Sequence, residues 1–153
     1  MPDPAIRAVL LLCTGNICRS PMAAALLSRR LAVLTPDLLV ASAGLSAIAD
    51  APADPISCAL MEAKGLDLST HRARQLTASL ANAFDLILVM EDRQQRTVEK
   101  GFPAARGRVH RLGRFGNFDI PDPYGKPRAA FESSLALIER GIDDYVRAFW
   151  TPK

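Results

Sequence analysis

The chain has 153 residues, 49% of them hydrophobic and 23% charged, with a formal net charge of +3. That length supports one domain, residues 1–153, with its own core. The scattered Lys and Arg argue against nucleic-acid binding, and no apolar run approaches the ~20 residues of a membrane span, so stable insertion is not expected.

Taken in chain order, Ile6 to Leu12 is a short, nearly all-apolar run, the pattern of a strand buried on both faces. Asp3 and Pro4 before it, and its shortness, do not make a signal peptide. Ser20-Pro21 reads as an N-cap followed by proline at the first helical position, opening a helix over Met22 to Leu34 that Pro36-Asp37 breaks. Leu38 to Ala41 predicts a second strand, ended by Gly44. Ala47 to Pro55 predicts a loop, and Ile56 to Lys64 a helix stopped at Gly65. Leu76 to Ala83 predicts a short helix and Phe84 to Met90 a third strand. Glu91 to Lys100 predicts a charged helix ended by Gly101, and Val109 to Leu112 a fourth strand. Gly113 to Pro127 holds three glycines and three prolines and predicts a long irregular loop, a frequent place for function. In the last helix Phe131, Leu135, Ile138, Ile142, Tyr145 and Phe149 form one apolar stripe, which Gly141 interrupts at a cost of ~1 kcal/mol relative to alanine.

This alternation predicts an α/β fold with a parallel sheet, which binds ligands at the carboxyl ends of its strands. The stretch Cys13 to Ser20 sits at such an end. Helix N-terminal amides are open donors in a positive field, which makes an anion site. Gly15 is expected to allow the tight path that turns successive amides inward. Arg19 adds a permanently charged fork matched to a phosphate-like oxyanion. Cys13 lies in the same field, which favours a thiolate nucleophile. Attack on phosphorus would give a phosphocysteine, with the amides and Arg19 holding the equatorial oxygens. A leaving alkoxide or phenoxide needs a proton, and the glycine- and proline-rich loop offers Asp119 and Asp122. Asp122 lies between two prolines, which restrict its backbone, although Asp-Pro is also ordinary turn chemistry.

Other chemistries lack their residues. No Gly-Lys follows Gly15 as a nucleotide P-loop requires, and no G-x-G-x-x-G is present. Cys13 and Cys18 are not spaced as C-x2-C, and only His71 and His110 offer imidazoles, so no metal site is expected. With Cys58 as the third cysteine, the odd count points to a reducing, cytoplasmic setting rather than a disulfide scaffold.

"LLCTGNICRSP" together with "IPDPY" resembles the low-molecular-weight protein tyrosine phosphatases. The likeness extends through "SAG" at Ser42 to Gly44, "HRARQLT" at His71 to Thr77, "DLILVME" at Asp85 to Glu91 and "DPYGKPRAAFE" from Asp122. The resemblance implies a four-stranded parallel sheet flanked by helices on both faces, and no metal or cofactor. It implies Cys13 as nucleophile, Arg19 as phosphate clamp and Asp122 as general acid and then base. Thr14, Gly15, Asn16, Ile17, Cys18, Ser20 and Tyr124 are expected at the substrate, with Ser20 also hydrogen-bonding the thiolate. Asn16 would hold the loop through a network with Ser42 and His71. Cys18 would trap oxidised Cys13 as a reversible disulfide, and Cys58 reads as helix core. The opposite wall, Ala47-Ile48-Ala49, carries no aromatic ring, which implies a weaker or broader grip.

Within the family the chain resembles the bacterial phosphatases of capsule and exopolysaccharide systems. That implies a phosphotyrosine protein partner, an autophosphorylating tyrosine kinase, with the phosphatase itself a monomer or weak homodimer. Protein-arginine phosphatases share the loop but favour Thr where this chain has Ile17, whose apolar bulk suits a phenyl ring. Thiol-dependent arsenate reductases need cysteines beyond Cys58, which are absent here. A non-catalytic phosphotyrosine- or anion-binding module would be expected to lack Cys13 or the acid.

Overall fold

The computed structural model describes residues 6–150. Asp3, Pro4 and the two ends of the 1–153 span lie outside those residues. Four strands, β1 (Ala8–Cys13), β2 (Leu39–Gly44), β3 (Leu86–Val89) and β4 (Val109–Arg111), form one parallel sheet in the order β2-β1-β3-β4. Five helices accompany them: α1 (Arg19–Leu34), α2 (Pro55–Glu62), α3 (Ala78–Asn82), α4 (Asp92–Gly101) and α5 (Arg128–Tyr145). A π-helical turn, Val146–Trp150, continues α5. The chain leaves β1 for β2 on one side and later returns to β3 on the other. The strand order therefore reverses beside the end of β1, where a crevice opens.

The all-apolar character of β1 follows from burial on both faces. Val9, Leu11 and Cys13 face a cluster with α1, α2 and α5, whereas Leu10 and Leu12 face a second cluster that includes Ala81 of α3 and Val98 of α4. β3 divides the same way, with Leu86 and Leu88 on the first face and Ile87 and Val89 on the second. Each such buried leucine or isoleucine contributes roughly 1.5–3 kcal/mol, so β1 and β3 anchor the sheet.

Several boundaries differ from the sequence reading for identifiable reasons. α1 begins at Arg19 with Cys18 at its cap, and no side chain caps it. Ser20, predicted as the N-cap, is the second helical residue, and its hydroxyl lies against the Cys13 sulfur instead. β2 runs on through Gly44, which accepts a bridge from the Gln75 segment. There is no room for a side chain at Gly44, because a Cβ would lie 2.6 Å from the Thr14 carbonyl oxygen. α2 starts at Pro55, capped by the Asp54 carboxylate, which accepts from the Ile56 amide. Thr77 caps α3 in the same manner.

The stripe of α5 is core as expected, with Phe131, Leu135, Ile138, Ile142 and Tyr145 all buried. Gly141 is not a defect in it. A Cβ there would lie 2.7 Å from the Leu112 carbonyl oxygen, so the glycine lets the chain after β4 run hard against the helix. One turn on, the Tyr145 hydroxyl donates to the Arg111 carbonyl at 3.1 Å. Its burial pushes the phenol up to about 12. Helix propensity alone favours alanine at 141. The packing predicts the opposite sign: Gly141→Ala lowers the free energy of unfolding by about 1–3 kcal/mol, read from urea unfolding. A variant as stable as the parent or more so would contradict this account of the contact.

Candidate active site

The segment between β1 and α1 wraps a cavity of about 190 Å³ at the carboxyl end of the sheet. Cys13, Thr14, Gly15, Ile17, Cys18 and Arg19 line it from the loop, Ser46 and Ile48 from beyond β2, and Asp122 and Tyr124 from the long loop before α5. Cys13 is 2% exposed, whereas Ile48 and Tyr124 are 45% and 56% exposed. The sulfur thus sits at the base and the two large side chains at the rim.

The loop's left-handed residue is Asn16, with φ 60°, and not Gly15, to which the sequence reading gave the tight turn. Asparagine tolerates this conformation better than most residues, and here its amide is bonded on every side. The Arg74 amide donates to Asn16 Oδ1 at 2.9 Å, which fixes the orientation of the amide group. Asn16 Nδ2 donates to Ser42 Oγ at 3.0 Å and to Ser20 Oγ at 2.8 Å. His71 donates through Nε2 to the Asn16 carbonyl at 2.7 Å. Ser20 Oγ accepts from Asn16 and lies 2.9 Å from the Cys13 sulfur, where its hydroxyl can donate to a thiolate. Asn16 and Ser20, expected among the substrate-touching residues, do not line the cavity. Both are fully buried and bond behind the loop.

Arg19 is 1% exposed. Its Nη1 donates to Glu91 Oε1 and to the Ile120 carbonyl, each at 2.7 Å, and its Nη2 lies 3.8 Å from Asp122 Oδ2. Its buried Nε finds no acceptor among the described residues, so the guanidinium keeps a donor in hand. Glu91 also accepts from Arg93 at 3.1 Å. Burial pushes the Glu91 carboxyl up, but hydrogen bonds and charge from Arg19 and then Arg93 outweigh it, holding the group below the usual carboxylate range.

The structure separates the two candidate acids. Asp122 borders the cavity, with Oδ1 accepting from the Tyr124 amide at 3.1 Å. Asp119 turns away, accepting from Arg111 and from the Asp92 amide, each at 3.0 Å. Cys18 shares the cavity with Cys13, and burial, aided by the charge of Asp54, pushes its thiol well above the ordinary range. Cys58 packs half-buried against the core from α2. Ser42 and His71 bond Asn16 as expected. Ile48, which brings no aromatic ring to the opposite wall, forms part of that wall itself, in reach of any side chain at Gly15.

Sequence reasoning missed Glu91, Gln94 and Ser134. Gln94 accepts from the Met90 and Glu91 amides and donates to Thr14 Oγ1 at 3.1 Å, joining α4 to the cavity loop. Ser134 donates from α5 to the Pro121 carbonyl at 2.7 Å. A polar residue buried on a helix is the only local signal for either. Among the described residues no His, Cys, Asp or Glu cluster is arranged to hold a metal, and no helix is long and apolar enough to cross a membrane.

Residues 8–150 match the family model of the low molecular weight phosphotyrosine protein phosphatases. The chain is 50% identical over 141 residues to a probable low molecular weight protein-tyrosine-phosphatase, EpsP, of Ralstonia solanacearum, covering 92% of this chain and 94% of that protein. It matches the solved structure of the Erwinia amylovora tyrosine phosphatase amsI with a TM-score of 0.88 and 37% identity, covering 95% of each. The arginine phosphatase YwlE of Geobacillus stearothermophilus superposes with a TM-score of 0.85 and 30% identity, covering 93% of this chain and 92% of that one.

The Arg19–Glu91 pair carries a pH signature. A carboxyl held below its ordinary value of 4.5 contributes its full stability above that value and loses it as the pH falls through the lowered one. Glu91→Gln is expected to lower unfolding free energy by about 1.5–3 kcal/mol at neutral pH. The difference from the parent should close progressively in acid. A difference independent of pH would show that the charge of Glu91 is not what matters.

Proposed function

The chain belongs to the low molecular weight phosphotyrosine protein phosphatase family, and on that premise we propose that it hydrolyses phosphotyrosine in proteins through a phosphocysteine. The convergence of Cys13, Arg19 and Asp122 on one small cavity carries this reading. In the first step the Cys13 sulfur attacks phosphorus and the bond from phosphorus to the tyrosyl oxygen breaks. Asp122 gives its proton to the departing phenoxide. Arg19 and the loop amides hold the oxygens on which charge accumulates. In the second step water attacks phosphorus and passes a proton to the Asp122 carboxylate, and the sulfur leaves as thiolate, accepting a hydrogen bond from Ser20. Inorganic phosphate and the starting enzyme result. Asn16, with Ser42 and His71, holds the loop in shape throughout.

The cavity walls support an aromatic substrate. Ile17, Ile48 and Tyr124 offer apolar surface to a ring. A phosphoarginine, with its polar guanidino group, gains less from them, and the likeness to the named arginine phosphatase is lower than that to the named tyrosine phosphatase. In our reading residues 1–153 are one phosphatase domain working in the cytoplasm as a monomer or weak homodimer. Its substrate protein is an autophosphorylated bacterial tyrosine kinase of exopolysaccharide synthesis. Cys18 completes the scheme: if Cys13 is oxidised to a sulfenic acid, the Cys18 thiol condenses with it, releasing water and forming a reducible disulfide.

Phosphate release from matched phosphotyrosine, phosphoserine and phosphoarginine peptides, with reductant and without metal, tests the assignment. Selective release from phosphotyrosine is expected. Cys13→Ser and Arg19→Ala should abolish turnover, and Asp122→Asn should lower it by roughly 10²–10⁴-fold. Preference for phosphoarginine would overturn the choice of substrate. Turnover surviving in Cys13→Ser would overturn the mechanism.

A further inference from the structure

We propose that Ser134, on α5, is a positioning residue that aims Asp122 into the cavity. The inference deepens the reading above and rests on Asp122 as the proton donor.

The long loop is fastened to the rest of the molecule at consecutive residues. Asp119 binds Arg111 and the Asp92 amide. The Ile120 amide donates to the Met90 carbonyl at 2.8 Å, and the Ile120 carbonyl accepts from Arg19 at 2.7 Å. Ser134 then donates to the Pro121 carbonyl at 2.7 Å, carrying the fastening one residue further. The atom it holds belongs to the peptide unit that links Pro121 to Asp122.

That peptide is the lever for the acid. The Pro121 ring fixes its own φ, so the chief remaining freedom upstream of Asp122 is rotation about the Pro121 Cα–C bond. Holding the Pro121 carbonyl removes that freedom and sets the direction in which the Asp122 N–Cα bond leaves. Downstream, Pro123 has no N–H to fasten. The contacts of the carboxyl itself are weaker guides. Its bond from the Tyr124 amide lies within the same loop and moves with it, and Arg19 stands 3.8 Å away. The Asp122 side chain is 43% exposed, so packing does not confine the carboxyl either.

The fold does not require a hydroxyl here. Ser134 is 2% exposed on a helix face otherwise built of Phe131, Leu135 and Ile138. A buried hydroxyl is costly unless it finds an acceptor, and a small apolar residue would serve the core at least as well. What the serine adds is the bond to the acid's own peptide.

The test compares Ser134→Val with Ser134→Thr. The two replacements share a shape and differ in the hydroxyl, so any strain from the added methyl cancels between them. kcat/KM is measured on a phosphotyrosine peptide, whose phenoxide needs a proton to leave, and on 4-nitrophenyl phosphate, whose leaving group does not. Ser134→Val is expected to lose about three- to tenfold on the peptide, the weight of one hydrogen bond, and less than about twofold on the activated ester. Ser134→Thr should stay near the parent on both. Ser134→Ala, checked by thermal unfolding, takes the place of Ser134→Val if the latter does not fold. Equal losses on the two substrates, or Thr behaving like Val, would overturn the role of Ser134. Asp122→Asn is run on the same pair. If it also shows no preference for the activated ester, the assignment of the acid fails; if it alone does, only the inference on Ser134 fails.

Discussion

A guanidinium buried to 1% exposure is the constraint to which the other segments answer. Removing such a charge from water costs several kcal/mol, and only close, well-aimed partners offset that. Arg19 obtains them from distant parts of the chain: a carboxylate 72 residues away on Glu91 and a carbonyl 101 residues away on Ile120. The first fixes where β3 must end relative to α1. The second draws the loop before α5 down over the cavity. The ion pair is therefore a device of geometry more than of stability. Glu91, in turn, stays charged because Arg19 and Arg93 hold it so against its burial. Removing the Glu91 carboxylate leaves the buried Arg19 charge without its close counterpart.

The second constraint is the left-handed turn at Asn16. Such a conformation carries a strain of order 1–2 kcal/mol away from glycine, and the loop holds it through bonds from Arg74 and His71 and to Ser42 and Ser20. The close approach at Gly44 gives the loop a floor. These bonds are all made by the protein's own residues, so the loop's shape does not depend on contacts from a ligand. Donors aimed in advance need little reorganisation when charge develops on a bound group, which is the source of their value. Under the proposed mechanism the same network reaches the nucleophile directly, since Asn16 holds the Ser20 hydroxyl beside the sulfur, to which it donates once the thiol is ionised.

How far the sequence foretold this depends on how local each signal is. β1 and β3 were legible because double-sided burial writes itself as an unbroken apolar run, and the α5 stripe because one-sided burial writes itself at three- and four-residue steps. The cavity loop was legible because thiol, guanidinium and helix start fall within a few residues. Ser20 fails only as the helix cap, because the capping rule is local and its hydroxyl is taken by Cys13, as the resemblance implies, and by Asn16. Gly141 read as a helix weakness because Leu112, which needs the space, lies far off in the chain. Glu91, Gln94 and Ser134 resemble surface residues of ordinary helices until their distant partners are known. Asp122 stands out from Asp119 by its two flanking prolines and by the resemblance, but spacing alone leaves an ordinary Asp-Pro turn equally open. Only the folded loop turns one toward Arg111 and the other toward the cavity.

The depth of the cavity bears on which phosphate esters reach the sulfur. Cys13 lies at the base, while Ile48 and Tyr124 stand half-exposed at the rim. A phosphate on serine or threonine is separated from its peptide backbone by a single carbon. To bring that phosphorus to the sulfur, the backbone itself would have to descend between the rim residues, and its amides and carbonyls would lose water without gaining partners. A phenyl ring extends the phosphate away from the backbone and presents flat apolar faces to Ile17, Ile48 and Tyr124 on the way down. A guanidino group has comparable reach, but its remaining N–H donors need acceptors along the wall. Among the described residues Asp122 is the only carboxylate lining the cavity. Under the proposed mechanism that carboxyl gives its proton to the leaving group, so it is not a standing anionic partner for a cation. Depth thus disfavours the alkyl esters, and the chemistry of the wall separates an aryl phosphate from a phosphoarginine, so the two selections rest on different residues.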